Sequence, residues 1–198
     1  MPMITVMTEL EAVNEMLMSI GQAPVSTLEV TGIKDVNIAK AELLKVSRRI
    51  QTYGFDFNTD TAYEITPDVD GHVVVPAGAL RVDPTAATNA YTVRREDTKG
   101  LCLYDKDEQS FVFTDVVEVD IVWGFAFEDM PEPARSYIAT SAGRKFQSRV
   151  IGSQILDRFQ AEDEARAWSL LLREERGSRD TNLFRANASM AGFFNRRY

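Results

Sequence analysis

A chain of 198 residues suits one large domain or two small ones and is long enough to bury a hydrophobic core. Its 44% hydrophobic and 26% charged residues are ordinary for a globular protein and exclude a largely disordered or fibrous chain. The formal net charge of -8 excludes DNA affinity gained by neutralising phosphates, and leaves open either an acidic wall past which DNA slides or plain solubility.

Thr8 to Ile20 is predicted to form a first helix. Thr8 and Glu11 have capping-box spacing, Leu10, Val13, Leu17 and Ile20 share a face, and Gly21 ends the helix. Lys34 to Tyr53 is predicted to form a second, with a stripe through Ile33, Val36, Ala39 or Lys40, Leu43, Val46 or Ser47, and Ile50. Lys45, Arg48 and Arg49 lie towards its C-terminal end, where the helix dipole favours cations, and Gly54 stops it. From Phe55 to Phe127 short alternating runs replace the helical period. Strands are expected at 73–75, 91–93, 101–104, 111–113 and 116–123, with turns at Asp68 to Gly71, Lys99-Gly100 and Asp105 to Asp107. The lone cysteine, Cys102, sits in one of these runs as a small buried hydrophobe. It allows no intrachain disulfide and no zinc site of the usual spacing, and it fits a reducing compartment.

Pro131 and Pro133 mark a boundary and open a third helix from Glu132 to Val150. Gly152 breaks it, Ser153 caps a fourth, and that helix runs from Gln154 to about Arg176 with Ile155, Phe159, Ala165, Trp168 and Leu172 as its core candidates. Beyond Gly177 periodicity is lost. The reading is α+β: a helical bundle (1–54 and 128–178), an inserted small antiparallel β domain (55–127) and an extended C-terminal tail (179–198). No run of 18 apolar residues predicts a membrane span, and Met1 to Leu10 lacks the pattern of a signal peptide.

Chemistry is sparse. The single histidine, His72, stands beside a turn with no G-x-S-x-G nucleophile motif to serve, and no P-loop, dinucleotide fingerprint or EF-hand loop occurs. Asp68-Val69-Asp70-Gly71 lacks the further ligands of a calcium loop and reads as a turn. No catalytic residue, cofactor or metal site is therefore assigned. Asp56, Asp60, Glu64, Asp68, Asp70 and Glu128-Asp129 could supply a carboxylate pair, but among 30 acidic residues a chance pair is expected.

Four groups of segments fall in one order between residues 7 and 170. They are Glu9 to Leu17 running into Ser19 to Leu28; Arg49 to Asn58; Thr66-Pro67-Asp68, Val75-Pro76 and Leu103-Tyr104-Asp105; and Met130-Pro131-Glu132 with Tyr137-Ile138, Arg144-Lys145-Phe146 and Glu164-Ala165-Arg166. Together they resemble the tail tubular protein A family of podoviruses, the gatekeeper or head-to-tail adaptor. That family usually carries Trp after the glycine at position 54, and Phe55 keeps an aromatic there. The resemblance implies a structural virion protein, a twelvefold ring of this chain between the portal protein and the nozzle of tail tubular protein B. Double-stranded DNA would pass through it without sequence-specific binding. It also implies a place in the virion tail, with assembly in the host bacterial cytoplasm and no membrane.

Partner contacts are expected from the tail residues Phe184, Phe193, Phe194, Arg196, Arg197 and Tyr198, since aromatic and Arg side chains anchor interfaces. A disordered terminus, or one folded back on its own subunit, is the alternative. The turns carrying Asp70, His72, Asp105 and Asp107 are candidates for the nozzle face, with simple solvent exposure as their alternative. The competing function is a virion-associated glycoside hydrolase acting on host surface polysaccharide, which requires two carboxylates about 5 to 10 Å apart in a cleft. A sugar-binding module would need Phe111, Phe113 and Trp123 exposed rather than in the core.

Overall fold

The computed structural model describes residues 5–29, 32–85 and 90–186, excluding the side chains of 178–186. The elements follow the chain as α1 (Glu9–Ser19), α2 (Lys34–Gln51), β1 (Thr59–Ile65), β2 (Ala79–Pro84), β3 (Tyr91–Glu96), β4 (Gly100–Asp105), β5 (Val117–Trp123), α3 (Glu132–Val150) and α4 (Gln154–Ala186). The class is α+β. Contacts divide the chain into two compact units, Met1–Ser47 with Ala126–Tyr198, and Arg48–Phe125.

In the helical unit, Thr8 and Glu11 form the reciprocal cap. The Thr8 amide donates to Glu11 Oε2 at 2.8 Å, and the Glu11 amide donates to Thr8 Oγ1 at 3.2 Å. The Thr8 amide, and then the Thr8 hydroxyl that donates to the same oxygen at 3.0 Å, hold the Glu11 carboxyl below its ordinary range. Asn14 clasps the following loop by bonding both backbone groups of Val25, at 2.9 and 2.8 Å. The core comes from Ala12, Val13, Met16 and Leu17 of α1, the Val36-Ala39-Leu43-Val46 stripe of α2, and Ala134, Ile138, Ala142 and Phe146 of α3. Each fully buried large aliphatic side chain contributes about 1.5–3 kcal/mol. α3 is central, with α1 and α4 packed against it.

The fourth helix departs from expectation twice. It continues through Gly177 to Ala186, so residues 179–186 are helical backbone rather than the start of an extended tail. A single interior glycine costs a helix only about 1 kcal/mol, and the residues after it tolerate the helix. Its buried positions are Ala167 and Leu171, whereas Ile155 and Phe159 are 71% and 64% exposed. Arg144 of α3 sets this rotation. It holds Asp157 through Nε at 2.8 Å and Nη2 at 3.1 Å, and Glu164 through Nη1 at 2.8 Å. Those acids lie two helical turns apart on one face, so that face turns to α3 and the Ile155–Phe159 face turns away.

The second unit holds a three-stranded antiparallel sheet, order β1-β5-β2, and the β3–β4 hairpin. β5 is central: Val117, Val119 and Ile121 pack with Val73 and Leu103, with Phe113 and Trp123 against them. The expected strands at 73–75 and 111–113 contribute only isolated bridges, Val74 to Cys102 and His72 to Val112. β1 and β2 were not anticipated. β1 is exposed along most of its length, so it lacks the alternation that marks a half-buried strand. It is an edge strand bulged between Asp60 and Tyr63, where the Ala62 amide donates to Asp120 Oδ1 at 3.0 Å.

Two buried amides join the two ends of this unit. Gln51 bonds both backbone groups of Phe125: its Nε2 donates to the carbonyl at 3.0 Å and its Oε1 accepts from the amide at 2.7 Å. Asn58 donates to the carbonyls of Gln51 and Trp123 at 3.0 and 2.7 Å and accepts from the Phe55 amide at 2.9 Å. Gly54 makes the turn between them at φ +78, where an added Cβ would stand 3.0 Å from Val122 Cγ2.

Replacing Asn58 with Leu strands an amide and two carbonyls inside the protein. We expect a loss of about 3 kcal/mol, read by urea unfolding through Trp123 fluorescence in a Trp168→Phe background. A loss below about 0.5 kcal/mol would show that the side chain carries none of this junction.

Candidate interaction surfaces

In the β unit the turn at Asp68 to His72 is built by its own backbone. Asp68 Oδ1 accepts from the amides of Asp70 and His72, both at 2.9 Å. Gly71 has φ +81, and a Cβ there would lie 2.8 Å from Val112 Cγ1, so the position requires glycine. Lys99, from the β3–β4 turn, places its ammonium 2.8 Å from Asp68 Oδ2 and 2.8 Å from Asp70 Oδ2. The Lys99 bond, with the amides, pulls the Asp68 carboxyl down from 3.8 to about 2, and the two carboxylates hold Lys99 firmly protonated.

Asp68, Asp70 and His72 offer three ligand atoms within 4.8 Å of one another. The Lys99 ammonium already bridges the two carboxylates and neutralises part of their charge. A divalent cation would have to expel it, so the arrangement works as a staple between two turns.

The second turn uses the same device. Asp105 Oδ1 accepts from the amides of Asp107 at 2.8 Å and Glu108 at 3.1 Å, leaving Asp107 and Glu108 exposed. A run of ring contacts joins the two turns. The Arg94 guanidinium lies 3.9 Å from the Tyr104 ring centroid, Tyr104 meets Phe111 edge to face at 4.9 Å, and Phe111 stands 6.4 Å from His72. Of the four turn residues singled out from sequence, Asp70 and Asp107 are exposed, while Asp105 shapes its loop and His72 is half-buried.

An open groove of about 630 Å³ beside the Asp105 turn is lined by Tyr91, Asp105, Glu108, Phe113 and Glu118, among others. Tyr91 and Phe113 meet edge to face at 5.4 Å, and Phe113 packs on the core. Four of the carboxylates considered for hydrolysis hold other groups. Asp60 accepts from Trp123 Nε1 at 2.7 Å, Asp68 and Asp70 hold Lys99, and Glu128 accepts from the Glu9 amide at 3.2 Å. Of the aromatic and basic tail, Phe184 lies on the backbone of α4 with its side chain outside the described part. Phe193, Phe194, Arg196, Arg197 and Tyr198 lie outside the described residues.

Sequence reasoning missed Arg135, which is 6% exposed in the helical unit. Its guanidinium donates to the carbonyls of Met130 at 2.6 Å, Met7 at 2.8 Å and Glu128. It thereby fastens the N-terminal segment to the turn before α3. Glu132 adds a second tie, accepting from the Met7 amide at 2.7 Å. An Arg at the start of an amphipathic helix carries no mark of burial, because its acceptors are carbonyls distant in sequence.

Polar groups thus hold turns and helix ends in place within each unit. Comparison with known proteins gives the class. Residues 10–181 match the family described as Tube: Tail tubular protein. The chain is 30% identical over 168 residues to "Tail tubular protein A" of Klebsiella phage KP34, covering 85% of this chain and 87% of that one. The chain belongs to the tail tubular protein family, and it is a structural component of a bacteriophage tail.

Lys99→Met should raise the Asp68 carboxyl from about 2 towards 3.8, as read by carboxyl-carbon NMR titration. Because the folded value is depressed, its stabilising effect is full above 3.8 and is lost as the pH falls through about 2. The stability gap between parent and variant should therefore be widest near neutrality and close in acid. A gap independent of pH would sink the assignment. Arg135→Met, which leaves three carbonyls without their donor, should destabilise the helical unit by about 3 kcal/mol in urea melts followed through Trp168. An unchanged midpoint would show the guanidinium to be dispensable.

Proposed function

We propose that this chain forms the adaptor or gatekeeper ring of a short-tailed phage, joining the portal to the tail nozzle and letting DNA pass. The observation that carries the reading is the family match, which runs through both units from residue 10 to 181. The ring is twelvefold in the virion. One face meets the portal protein and the other meets a nozzle of tail tubular protein B. Double-stranded DNA passes without sequence-specific binding, in keeping with a net charge of -8 that offers phosphates little overall attraction. Assembly takes place in the host cytoplasm.

On this reading residues 1–54 and 128–178 are the helical domain, 55–127 the β domain and 179–198 the tail, whose first residues, as far as Ala186, continue α4. The turns carrying Asp70, His72, Asp105 and Asp107 face the nozzle, with Asp70 and Asp107 offering exposed carboxylates. Phe184, Phe193, Phe194, Arg196, Arg197 and Tyr198 dock a neighbour or the portal. Ring contacts between copies are heterologous and close by rotation.

Purified protein mixed with portal rings should give a second ring stacked on the portal, seen by size-exclusion chromatography and electron microscopy. A folded protein that fails to associate at several salt concentrations would overturn the adaptor reading. Charge reversal of Arg196 and Arg197 should weaken portal docking, and intact docking would remove the tail from the contact.

A further inference from the structure

Two outward faces of the helical region carry apolar side chains where solvent would favour polar ones. The first begins at the α3–α4 turn. Val150 and Ile151 are 41% and 48% exposed, and on α4 Ile155, Leu156 and Phe159 are 71%, 42% and 64% exposed. These five exposed apolar side chains fall within ten residues of the chain, and clustered exposed apolar surface marks contact sites on soluble proteins. The Arg144 clamp keeps this face outward, so its exposure follows from how α4 is held. One turn along lie Glu162 and Asp163, 69% and 63% exposed. Their only ion pairs among the described residues are long ones to exposed Arg166, at 3.5 and 3.6 Å. Such pairs are worth little and leave both acids able to meet another partner.

The second face is on α2. Leu44 is 52% exposed, and Ala41, Lys45 and Arg48 are exposed beside it at helical spacing. Neither Lys45 nor Arg48 forms an ion pair among the described residues. The α4 face thus carries two carboxylates beside its apolar patch, with Arg158 and Arg166 also exposed there, and the α2 face carries one exposed leucine with a basic flank.

Resting on the ring reading above, we infer that the occupant of the α4 face is a second copy of this chain. The Ile155–Phe159 patch packs over Leu44 of the neighbouring copy's α2, with Glu162 and Asp163 against its Lys45 and Arg48. A ring subunit must present two different, mutually complementary surfaces, because a head-to-tail contact repeats only when each copy offers both. A symmetric approach of α2 to α2 would set Lys45 and Arg48 against their own copies, which disfavours a symmetric pair through that face.

The test uses tails assembled from a mixture of unlabelled and 15N-labelled chain, joined by a zero-length carbodiimide cross-linker and read by mass spectrometry. Mixed-isotope links from Lys45 to Glu162 or Asp163 are expected. The Lys45→Glu/Arg48→Glu chain should enter tails at least tenfold less well, and adding Glu162→Lys/Asp163→Lys to the same chain should restore entry. Phe159→Ser, with its melting temperature and helical circular dichroism checked first, should reduce entry by a similar factor. Links between copies through other surfaces, links from Glu162 to a different tail protein, or failure of the charge exchange to restore entry would overturn this pairing and leave the ring standing. An absence of any link between copies would overturn the ring itself.

Discussion

The β unit depends on how its two ends are held together. The chain arrives at the end of α2 and leaves after β5, and two side-chain amides meet there. Gln51 satisfies both backbone groups of Phe125 as a neighbouring strand would. Asn58 bonds the carbonyls on either side. An amide side chain carries both a donor and an acceptor, so it can pair with a backbone segment that no strand reaches. With these bonds in place β5 is anchored at its end, and the sheet and the hairpin core assemble around it. Without them buried peptide groups would be left unsatisfied, and the low dielectric that strengthens such bonds makes their loss costly.

The same economy of polar groups recurs in both units. Arg135 gathers carbonyls from two separated segments, Lys99 bridges carboxylates on a turn, and Arg144 fixes the rotation of α4. In each case a long cationic side chain reaches between elements where apolar packing alone would leave a sliding contact. Directional bonds specify position, and burial supplies most of the free energy. A subunit that has to match neighbours benefits from that division, because its contact surfaces are then held before any partner arrives.

The helical frame was legible in the residues. The Thr8–Glu11 cap, the Val36-Ala39-Leu43-Val46-Ile50 stripe and the prolines before α3 each act within a few positions, and each appears where the pattern places it. The alternation of Val117, Val119 and Ile121 likewise marks the central strand, because a strand buried on one face must show period two. Edge strands escape such reading. β1 packs little of itself, and its pairing with β5 is supplied by a partner more than 50 positions away.

The candidate surfaces divide in the same way. Asp68, Asp70 and Asp105 could be recognised as turn residues from their local chemistry, and so could the family to which the chain belongs. That Lys99 would neutralise the first turn, or that Arg135 would be buried, depends on groups distant in sequence. The outward turn of Ile155 and Phe159 was hidden for a sharper reason. Helical periodicity records that a helix has apolar residues, but a helix with apolar residues on more than one face does not declare which will meet its own core. The sequence by itself determined the class, the family and the local caps and turns, because these rest on interactions a few residues apart. Only the tertiary structure decided which face of α4 lies inward, because that choice rests on contacts between helices: one guanidinium of α3 meeting two carboxylates of α4, Trp168 against Tyr137, and the burial of Ala167 and Leu171.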